Sequence, residues 1–309
     1  MLKWGRLKKR SIVVGIEFQA DGIAVVAQVR SDGVPEILHM DYLTFADAAE
    51  ALQLLTDWVA TKQLSGSICH VALAQDHYQL LLVEPPDVPD DEMRNAIRWR
   101  LKDLINIPLE QAAIDVFALP ADGTRAQKKM MYVVATQDQK IKSIRDLILS
   151  AGLQLESIDI GELAIRNLAN TLLCDDSSER GVAVARIRQG GGSVYIYRKG
   201  NMYLARSFSL NYKAGLLDDL PEENLALELQ RSVDYYERQM GQAPPTVIYV
   251  CGENILEDKL NAKLKASLAI QIQLLDPTAV VLLKMDVDAG LSQQCLGAIG
   301  VSIRQALVP

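Results

Sequence analysis

Two segments of the chain share the pattern of a strand, a turn and a second strand, and they limit the possible folds most. The first covers residues 11–30 and the second covers residues 181–210. Each combines a run rich in β-branched residues, a turn and another apolar run, which indicates a β-hairpin. Strand and helix patterns alternate between and after them, so the sequence predicts a mixed α/β protein. Two such hairpin units are typical of a two-lobed nucleotide-binding fold.

Composition excludes several classes of protein. The chain has 309 residues, enough for two domains with their own cores, and its formal net charge of −7 gives no general affinity for nucleic acid. The four cysteines have no CxxC spacing, which indicates reduced thiols. The three histidines have no HxxxH or HExxH spacing, so we expect no metal site at them.

The N-terminal segment combines basic residues with a tryptophan. Such a segment can lie on anionic lipid headgroups, where each basic residue adds on the order of 1 kcal/mol. The alternative is a solvated tail without a partner. No segment reaches the roughly 20 apolar residues that cross a bilayer. The residues that would contact the membrane surface are Lys3, Trp4, Arg6, Lys8, Lys9 and Arg10.

Five segments of the chain carry a resemblance to a known family: DDEMRNAIRWRLKDLINIPLEQAAIDVFAL, MYVVATQDQKIKSIRDLILSAGLQLESIDIGELAIRNL, LELQRSVDYYERQ, VIYVCGEN with the later LLDP, and LGAIGVSIR. Together they resemble the PilM branch of actin-like proteins, which serves type IV pilus assembly. The resemblance extends over roughly residues 11–306 and is greatest to the MshI-type members of mannose-sensitive haemagglutinin (MSHA) pilus systems.

The resemblance implies an actin-like ATPase (RNase H-like) fold of two lobes, with a small α/β subdomain inserted in the first lobe. A polar stretch at residues 175–180 is the best linker in the sequence. The expected parts are a basic tail (1–10), a first lobe (11–83 and 154–175, with the C-terminal helix 294–306 as a candidate to return to it), the inserted subdomain (84–153) and a second lobe (176–309).

The first hairpin turn departs from the nucleotide-binding pattern of the family. PilM-type turns resemble G-[ILV]-[DE]-[ILV]-G followed by Ser or Thr. This chain keeps Gly15 and the carboxylate of Glu17, but Gln19 replaces the second glycine and no Ser or Thr follows. Asp21 would add negative charge near a triphosphate, which is unfavourable without a metal ion.

The second turn departs further. Family members resemble V-D-I-G there, whereas this chain has Arg186 and Arg188. A guanidinium cannot organise a divalent cation as a carboxylate does, although it can contact a phosphate. The run Gly190, Gly191 and Gly192 either offers backbone amides to an anion or is a flexible hairpin turn.

Two further positions concern the adenosine. The glycine run that the family uses is reduced here to Gly252, followed by Glu253. Glu228 lies on a helix that approaches the base in relatives; alternatively it forms an ion pair with Arg231 on a solvated helix face.

These departures predict a degenerate nucleotide site without catalytic residues or a required cofactor. The sequence contains no GxSxG or GK[ST] motif and no Cys–His pair at catalytic spacing. Two alternatives stay open. One is a working ATPase or ATP-gated switch that uses ATP and magnesium, and the other is a filament-forming, membrane-associated actin-like protein.

The resemblance also implies a partner. PilM-type proteins hold the cytoplasmic N-terminal tail of a PilN-like bitopic inner-membrane protein where the inserted subdomain meets the first lobe. We therefore expect a cytoplasmic protein, peripheral at the inner membrane, that contacts this partner and other pilus-assembly proteins. Ile97, Leu101 and Val116 could instead form the subdomain core. The periodicity of residues 90–105 predicts a helix whose apolar stripe includes Ile97 and Leu101, and Trp99 lies off that stripe. The candidate groove residues are Arg94, Ile97, Trp99, Leu101, Val116 and Phe117.

Overall fold

The computed structural model of the protein describes residues 12–29, 33–89, 92–125, 128–172, 179–215 and 218–304. Within these ranges the chain alternates strands and helices, as the sequence predicted. The strands are β1 (Ile12–Phe18), β2 (Gly22–Val29), β3 (Glu36–Thr44), β4 (Ile68–Leu73), β5 (Tyr78–Val83), β6 (Ala112–Ala118), β7 (Met131–Gln137), β8 (Gln154–Ile160), β9 (Val182–Arg188), β10 (Gly191–Arg198), β11 (Asn201–Ser209), β12 (Val247–Gly252), β13 (Gln271–Leu274) and β14 (Leu282–Leu283). The helices are α1 (Ala48–Thr61), α2 (Met93–Leu101), α3 (Asp138–Ser150), α4 (Gly161–Leu172), α5 (Glu222–Arg238), α6 (Ala262–Ala266), α7 (Ala289–Gln294) and α8 (Leu296–Ser302).

The first predicted hairpin forms the centre of a six-stranded sheet with the order β14-β3-β2-β1-β4-β8. Strands β1 and β2 pair antiparallel, with Val14 opposite Ala27. Every residue of β2 is buried, because its apolar run is covered on both faces. Strand β4 pairs with the other edge of β1 in parallel, so β1 and β4 end on the same side of the sheet.

The second predicted hairpin lies in a five-stranded sheet with the order β11-β10-β9-β12-β13. Strand β9 runs antiparallel to β10 and parallel to β12. The turn between β10 and β11 is tight, since Arg198 lies opposite Asn201. Lys199 and Gly200 between them have φ values of 48° and 78°. Two left-handed residues in succession give the turn the twist that a tight hairpin requires.

A third sheet has the order β5-β7-β6, and α2 packs on one of its faces. Strand β5 pairs antiparallel with β7 along its whole length. The expected first lobe includes residues 78–83. The chain instead leaves the six-stranded sheet earlier, at the short 3₁₀ turn Gln75–His77 that follows β4.

The C-terminal helix α8 packs against the six-stranded sheet, and small residues make the contact possible. A Cβ on Gly15 of β1 would lie 2.1 Å from the carbonyl oxygen of Ala298. A Cβ on Gly300 would lie 2.2 Å from the carbonyl oxygen of Ala164 on α4. Helix α8 therefore packs between β1 and α4.

The division of the chain into lobes stays a prediction.

Candidate functional site

A cleft of about 610 Å³ opens where strands of the two larger sheets end. β1 is parallel to β4, and β9 is parallel to β12, so the carboxyl ends of all four strands face this space. Clefts at the carboxyl ends of parallel strands are the usual ligand sites of α/β proteins. The cleft is lined by Phe18, Gln19, Ala20, Asp21, Ala74, Gln75, Asp76, Arg186, Arg188, Gln189, Gly252, Glu253, Gln293 and Gln294.

An ion pair between the two sheets forms the floor of the cleft. Nη1 and Nη2 of Arg186 donate to Oε1 and Oε2 of Glu17 at 2.5 and 2.7 Å. The side chains of Arg186 and Glu17 are only 4% and 1% exposed. Two parallel bonds between a guanidinium and a carboxylate are the strongest form of this interaction. The two residues that the sequence placed in separate turns are therefore direct partners.

Both members of this cross-sheet ion pair are charged. Burial alone would raise the pKa of Glu17, but the charge and the hydrogen bonds of Arg186 hold that pKa below its ordinary value of 4.5. Burial alone would lower the pKa of Arg186, and the carboxylate of Glu17 raises it instead. The pair therefore persists as carboxylate and guanidinium at neutral pH.

Glycines leave the space that the pair occupies. A Cβ on Gly297 would lie 2.2 to 2.4 Å from the carboxylate atoms of Glu17, closer than any Cβ can come. A Cβ on Gly161 would lie 3.5 Å from Nη1 of Arg186, an ordinary contact distance. Gly297 is thus the position where even an alanine would displace the carboxylate.

Glutamines extend the polar contacts around the pair. Nε2 of Gln19 donates to Oε2 of Glu17 at 3.1 Å and to the carbonyl oxygen of Gln294 at 2.8 Å. Nη1 of Arg188 donates to Oε1 of Gln75 at 2.5 Å. Nε2 of Gln75 in turn donates to Oγ of Ser193 at 3.0 Å. Gln19 and Gln75 therefore each connect two parts of the cleft wall.

A second buried carboxylate, Glu162 on α4, belongs to the same polar region. It accepts a short hydrogen bond from the hydroxyl of Tyr78, and burial raises its pKa. The hydroxyl of Tyr197 donates to the backbone carbonyl of Glu162 at 2.6 Å. Sequence reasoning missed Glu162, Gln75 and Gln294. Of these three residues, only Gln75 could have been identified from the sequence, because it follows the apolar run of a buried strand that ends at the cleft.

The three successive glycines are divided between a turn and strand β10. Gly190 alone lies in the turn, and its amide donates to the carbonyl of Tyr212 at 2.8 Å. Gly191 and Gly192 are strand residues of β10 with β9 on one side and β11 on the other. A Cβ on Gly191 would lie 2.4 Å from the carbonyl oxygen of Phe208. Close strand packing and the turn therefore account for this run.

The mouth of the cleft carries carboxylates. Asp21 accepts a short hydrogen bond from the hydroxyl of Tyr42, and burial raises the pKa of Glu253. Gly252 has a φ of 129°, and a Cβ there would lie 1.9 Å from the carbonyl oxygen of Ile187. Gly252 is thus required by the contact between β12 and β9. Asp21, Asp76 and Glu253 all line the cleft, with Arg188 as their basic neighbour.

Glu228 does not line this cleft. Its Oε1 pairs with Arg231 at 2.6 Å, and its Oε2 pairs with Arg206 at 2.8 Å. The first of these contacts is the i,i+3 ion pair that the sequence offered as the alternative to base recognition. Among the residues that the structure describes, no group of three His, Cys, Asp or Glu side chains could hold a metal ion.

The candidate groove residues separate into two groups. Ile97 and Leu101 are fully buried in a cluster under the three-stranded sheet, and Val116 packs against that cluster. The ring of Phe117 stacks on Tyr132 at a centroid distance of 5.2 Å. Trp99 is 79% exposed on the outer face of α2. The structure thus places three of the groove residues in the subdomain core and Trp99 at the surface.

Two sets of predicted residues fall outside what the structure describes. Arg94 lies on α2, but its side chain is outside the described set, and so is the whole N-terminal segment with Lys3, Trp4, Arg6, Lys8, Lys9 and Arg10. In the described ranges, no helix is both long and apolar enough to span a membrane.

Comparisons with known proteins identify the fold. A family model described as type IV pilus assembly protein PilM matches residues 58–210, about half of the chain. A solved PilM-PilN type IV pilus biogenesis complex has a chain similar to this one, with a TM-score of 0.71 and 17% identity over 95% of this chain and 98% of that chain. No curated protein matches the sequence significantly.

Two further solved structures share the architecture. A Bacteroides thetaiotaomicron protein with an actin-like ATPase fold has a TM-score of 0.52 and 12% identity, over 89% of this chain and 93% of that chain. The cytoplasmic domain of EpsL, an inner membrane component of the type II secretion system of Vibrio cholerae, has a TM-score of 0.51 and 14% identity, over 78% of this chain and 82% of that chain. The predicted actin-like ATPase fold is confirmed.

Proposed function

We propose that this PilM-type chain is a non-catalytic scaffold of type IV pilus assembly. In this proposal it binds the cytoplasmic N-terminal tail of a PilN-like inner-membrane protein and serves an MSHA-like system. It would lie in the cytoplasm at the face of the inner membrane. The tail and the basic N-terminal segment would hold it there together, since two weak attachments reinforce each other.

The cross-sheet ion pair is the observation that carries the non-catalytic part of the proposal. Actin-like folds bind ATP and magnesium between the two hairpins, where this chain has Glu17 and Arg186. Glu17 already accepts both bonds from Arg186, and its charge is compensated. A divalent cation would have to compete with that guanidinium for the same oxygens. Asp21, Asp76 and Glu253 add negative charge near the place of a triphosphate, which opposes binding.

Thermal unfolding with and without Mg-ATP tests this part. A ligand at 100 times its Kd stabilises a protein by about 2.7 kcal/mol, which raises Tm by several degrees. We expect no shift with millimolar Mg-ATP beyond the shift that magnesium chloride alone produces. The volume of the cleft, about 610 Å³, favours the alternative of an ATP-binding switch. A shift of several degrees with Mg-ATP, accompanied by phosphate release, would establish that alternative.

Trp99 supports the partner-binding part of the proposal. Its side chain is 79% exposed, whereas Ile97 and Leu101 of the same helix are fully buried. A large exposed aromatic side chain on an ordered helix is typical of an interface anchor, and tryptophan is frequent among binding hot spots. The location of Trp99 on the inserted subdomain agrees with the groove that the family resemblance implies.

A binding measurement with a synthetic tail of the adjacent PilN-like protein tests Trp99. We expect Trp99→Ala to weaken binding at least about tenfold, since a hot-spot side chain contributes about 2 kcal/mol or more. Leu227→Ala is the matched control, because Leu227 is 49% exposed on α5, outside the inserted subdomain. Equal affinity of wild type and Trp99→Ala would remove Trp99 from the groove. No binding by the wild type would remove the proposed partner.

A further inference from the structure

The cross-sheet ion pair joins the six-stranded and the five-stranded sheets, whose spacing is not fixed by any covalent bond between them. Glu17 lies near the end of β1 in the six-stranded sheet, and Arg186 lies near the end of β9 in the five-stranded sheet, 169 residues later. The pair lies at the floor of the cleft, where a change in the angle between the sheets would separate its partners.

Burial makes the pair sensitive to small displacements. Both side chains are almost fully removed from water. A relative movement too small to admit water would leave two buried charges without partners, which is strongly unfavourable. The sheets therefore have either the spacing that satisfies both bonds or an open arrangement in which both groups are hydrated. Intermediate spacings are disfavoured.

Further hydrogen bonds span the same gap. Gln19 of the first hairpin turn reaches the backbone of Gln294 at the end of α7. Gln75, which follows β4, contacts Arg188 of β9 and Ser193 of β10. The Gln75 contacts connect the same two sheets as the ion pair, and Gln19 also donates to Glu17 itself. A movement that broke the pair would break them as well.

We propose that the Glu17–Arg186 pair is a built-in lock that fixes the spacing of the two larger sheets without a bound ligand. The lock goes beyond the scaffold role and does not depend on the identity of any partner. In an actin-like fold with this lock, the cleft keeps one geometry where a ligand-dependent protein would open and close. Partner binding elsewhere on the molecule would then not respond to nucleotide.

Pulsed electron paramagnetic resonance can measure the spacing of the two larger sheets in this chain. Spin labels are placed on cysteines introduced at Ser65, in the turn before β4, and at Gln271, at the start of β13; both positions are exposed. Cys69, Cys251 and Cys295 are buried, and a Cys174→Ser background leaves the introduced thiols as the labelling sites. The wild type should give one narrow distance peak that Mg-ATP leaves unchanged.

Two variants release the lock in different ways. Glu17→Gln keeps the shape of the side chain but removes its charge. Gly297→Ala keeps both charges but places a methyl group where the carboxylate lies. We expect each variant to broaden the distribution and to shift its mean by more than the width of the wild-type peak. Glu223→Gln, which disrupts an exposed ion pair with Lys263, should match the wild type.

The possible results separate clearly. Wild-type peaks in both Glu17→Gln and Gly297→Ala would overturn the lock, and so would a broad wild-type distribution that Mg-ATP narrows. Circular dichroism checks that each variant is folded, and Gly297→Ala decides the question if Glu17→Gln does not fold. None of these measurements uses the PilN-like tail, so failure of the lock and failure of the partner proposal are distinguishable.

Discussion

At the scale of single residues, the stability of the cleft depends on two charges that compensate each other. Glu17 and Arg186 are buried, carry opposite charges and are joined by two hydrogen bonds. Removing one partner leaves the other charge without compensation in a site that excludes water. Substitution of Glu17 should therefore lower the free energy of unfolding by more than the loss of its two hydrogen bonds alone.

We predict that Glu17→Gln lowers the free energy of unfolding by about 3 to 5 kcal/mol at pH 7. The folded-state pKa of Glu17 lies below 4.5, so its stabilising effect is complete above pH 4.5 and is lost as the pH falls through the lowered pKa. The difference between wild type and variant should therefore shrink in acid. Urea unfolding at pH 7 and at several values below 4.5 measures it.

The control for this prediction is Glu223→Gln, since Glu223 pairs with Lys263 at the surface. Exposed pairs contribute little, so this variant should unfold like the wild type at every pH. A difference between wild type and Glu17→Gln that stays constant through the acidic range would show that the carboxylate of Glu17 is not the titrating group.

At the scale of secondary-structure elements, much of the architecture was predictable. Both hairpins were correctly predicted from their β-branched runs, and α2 from the stripe that includes Ile97 and Leu101. Strand β5 pairs in the three-stranded sheet, which the sequence could not show because an apolar strand pattern does not identify the sheet that the strand joins. Strand β14 was missed, since two residues, Leu282–Leu283, are too short for any period to be visible.

The contact between α8 and α4 gives a prediction at this scale. Gly300→Ala would place a methyl group 2.2 Å from the carbonyl of Ala164, so α8 must move away from α4. We expect the free energy of unfolding to fall by about 1 to 3 kcal/mol and Tm to fall by several degrees. The higher helix propensity of alanine offsets only part of this loss.

Thermal unfolding checks this expectation. Gly33→Ala is the matched control, because a Cβ at Gly33 has no neighbour within 4 Å. If Gly300→Ala unfolds at the wild-type temperature, the close contact between α8 and α4 does not contribute to stability.

At the scale of the whole molecule, the cleft could be predicted only in part. The sequence located Glu17 and Arg186 in the two hairpins, but it could not show that they bond to each other, since they lie 169 residues apart. Gln75 and Gln294 line the cleft because of sheet order and helix packing, which no local sequence pattern can predict. Trp99 was distinguished from its buried neighbours because it lies off the apolar stripe of α2.

The mutual dependence of Glu17 and Arg186 also limits how this protein can change. A substitution at either position alone leaves an unpaired charge in the interior. The close approach of Gly297 leaves no room for a bulkier side chain beside the carboxylate. Replacement of the pair by other residues would need both positions exchanged at once. Stepwise mutation would pass through a poorly folding intermediate, so selection for a stable protein would tend to preserve the present pair.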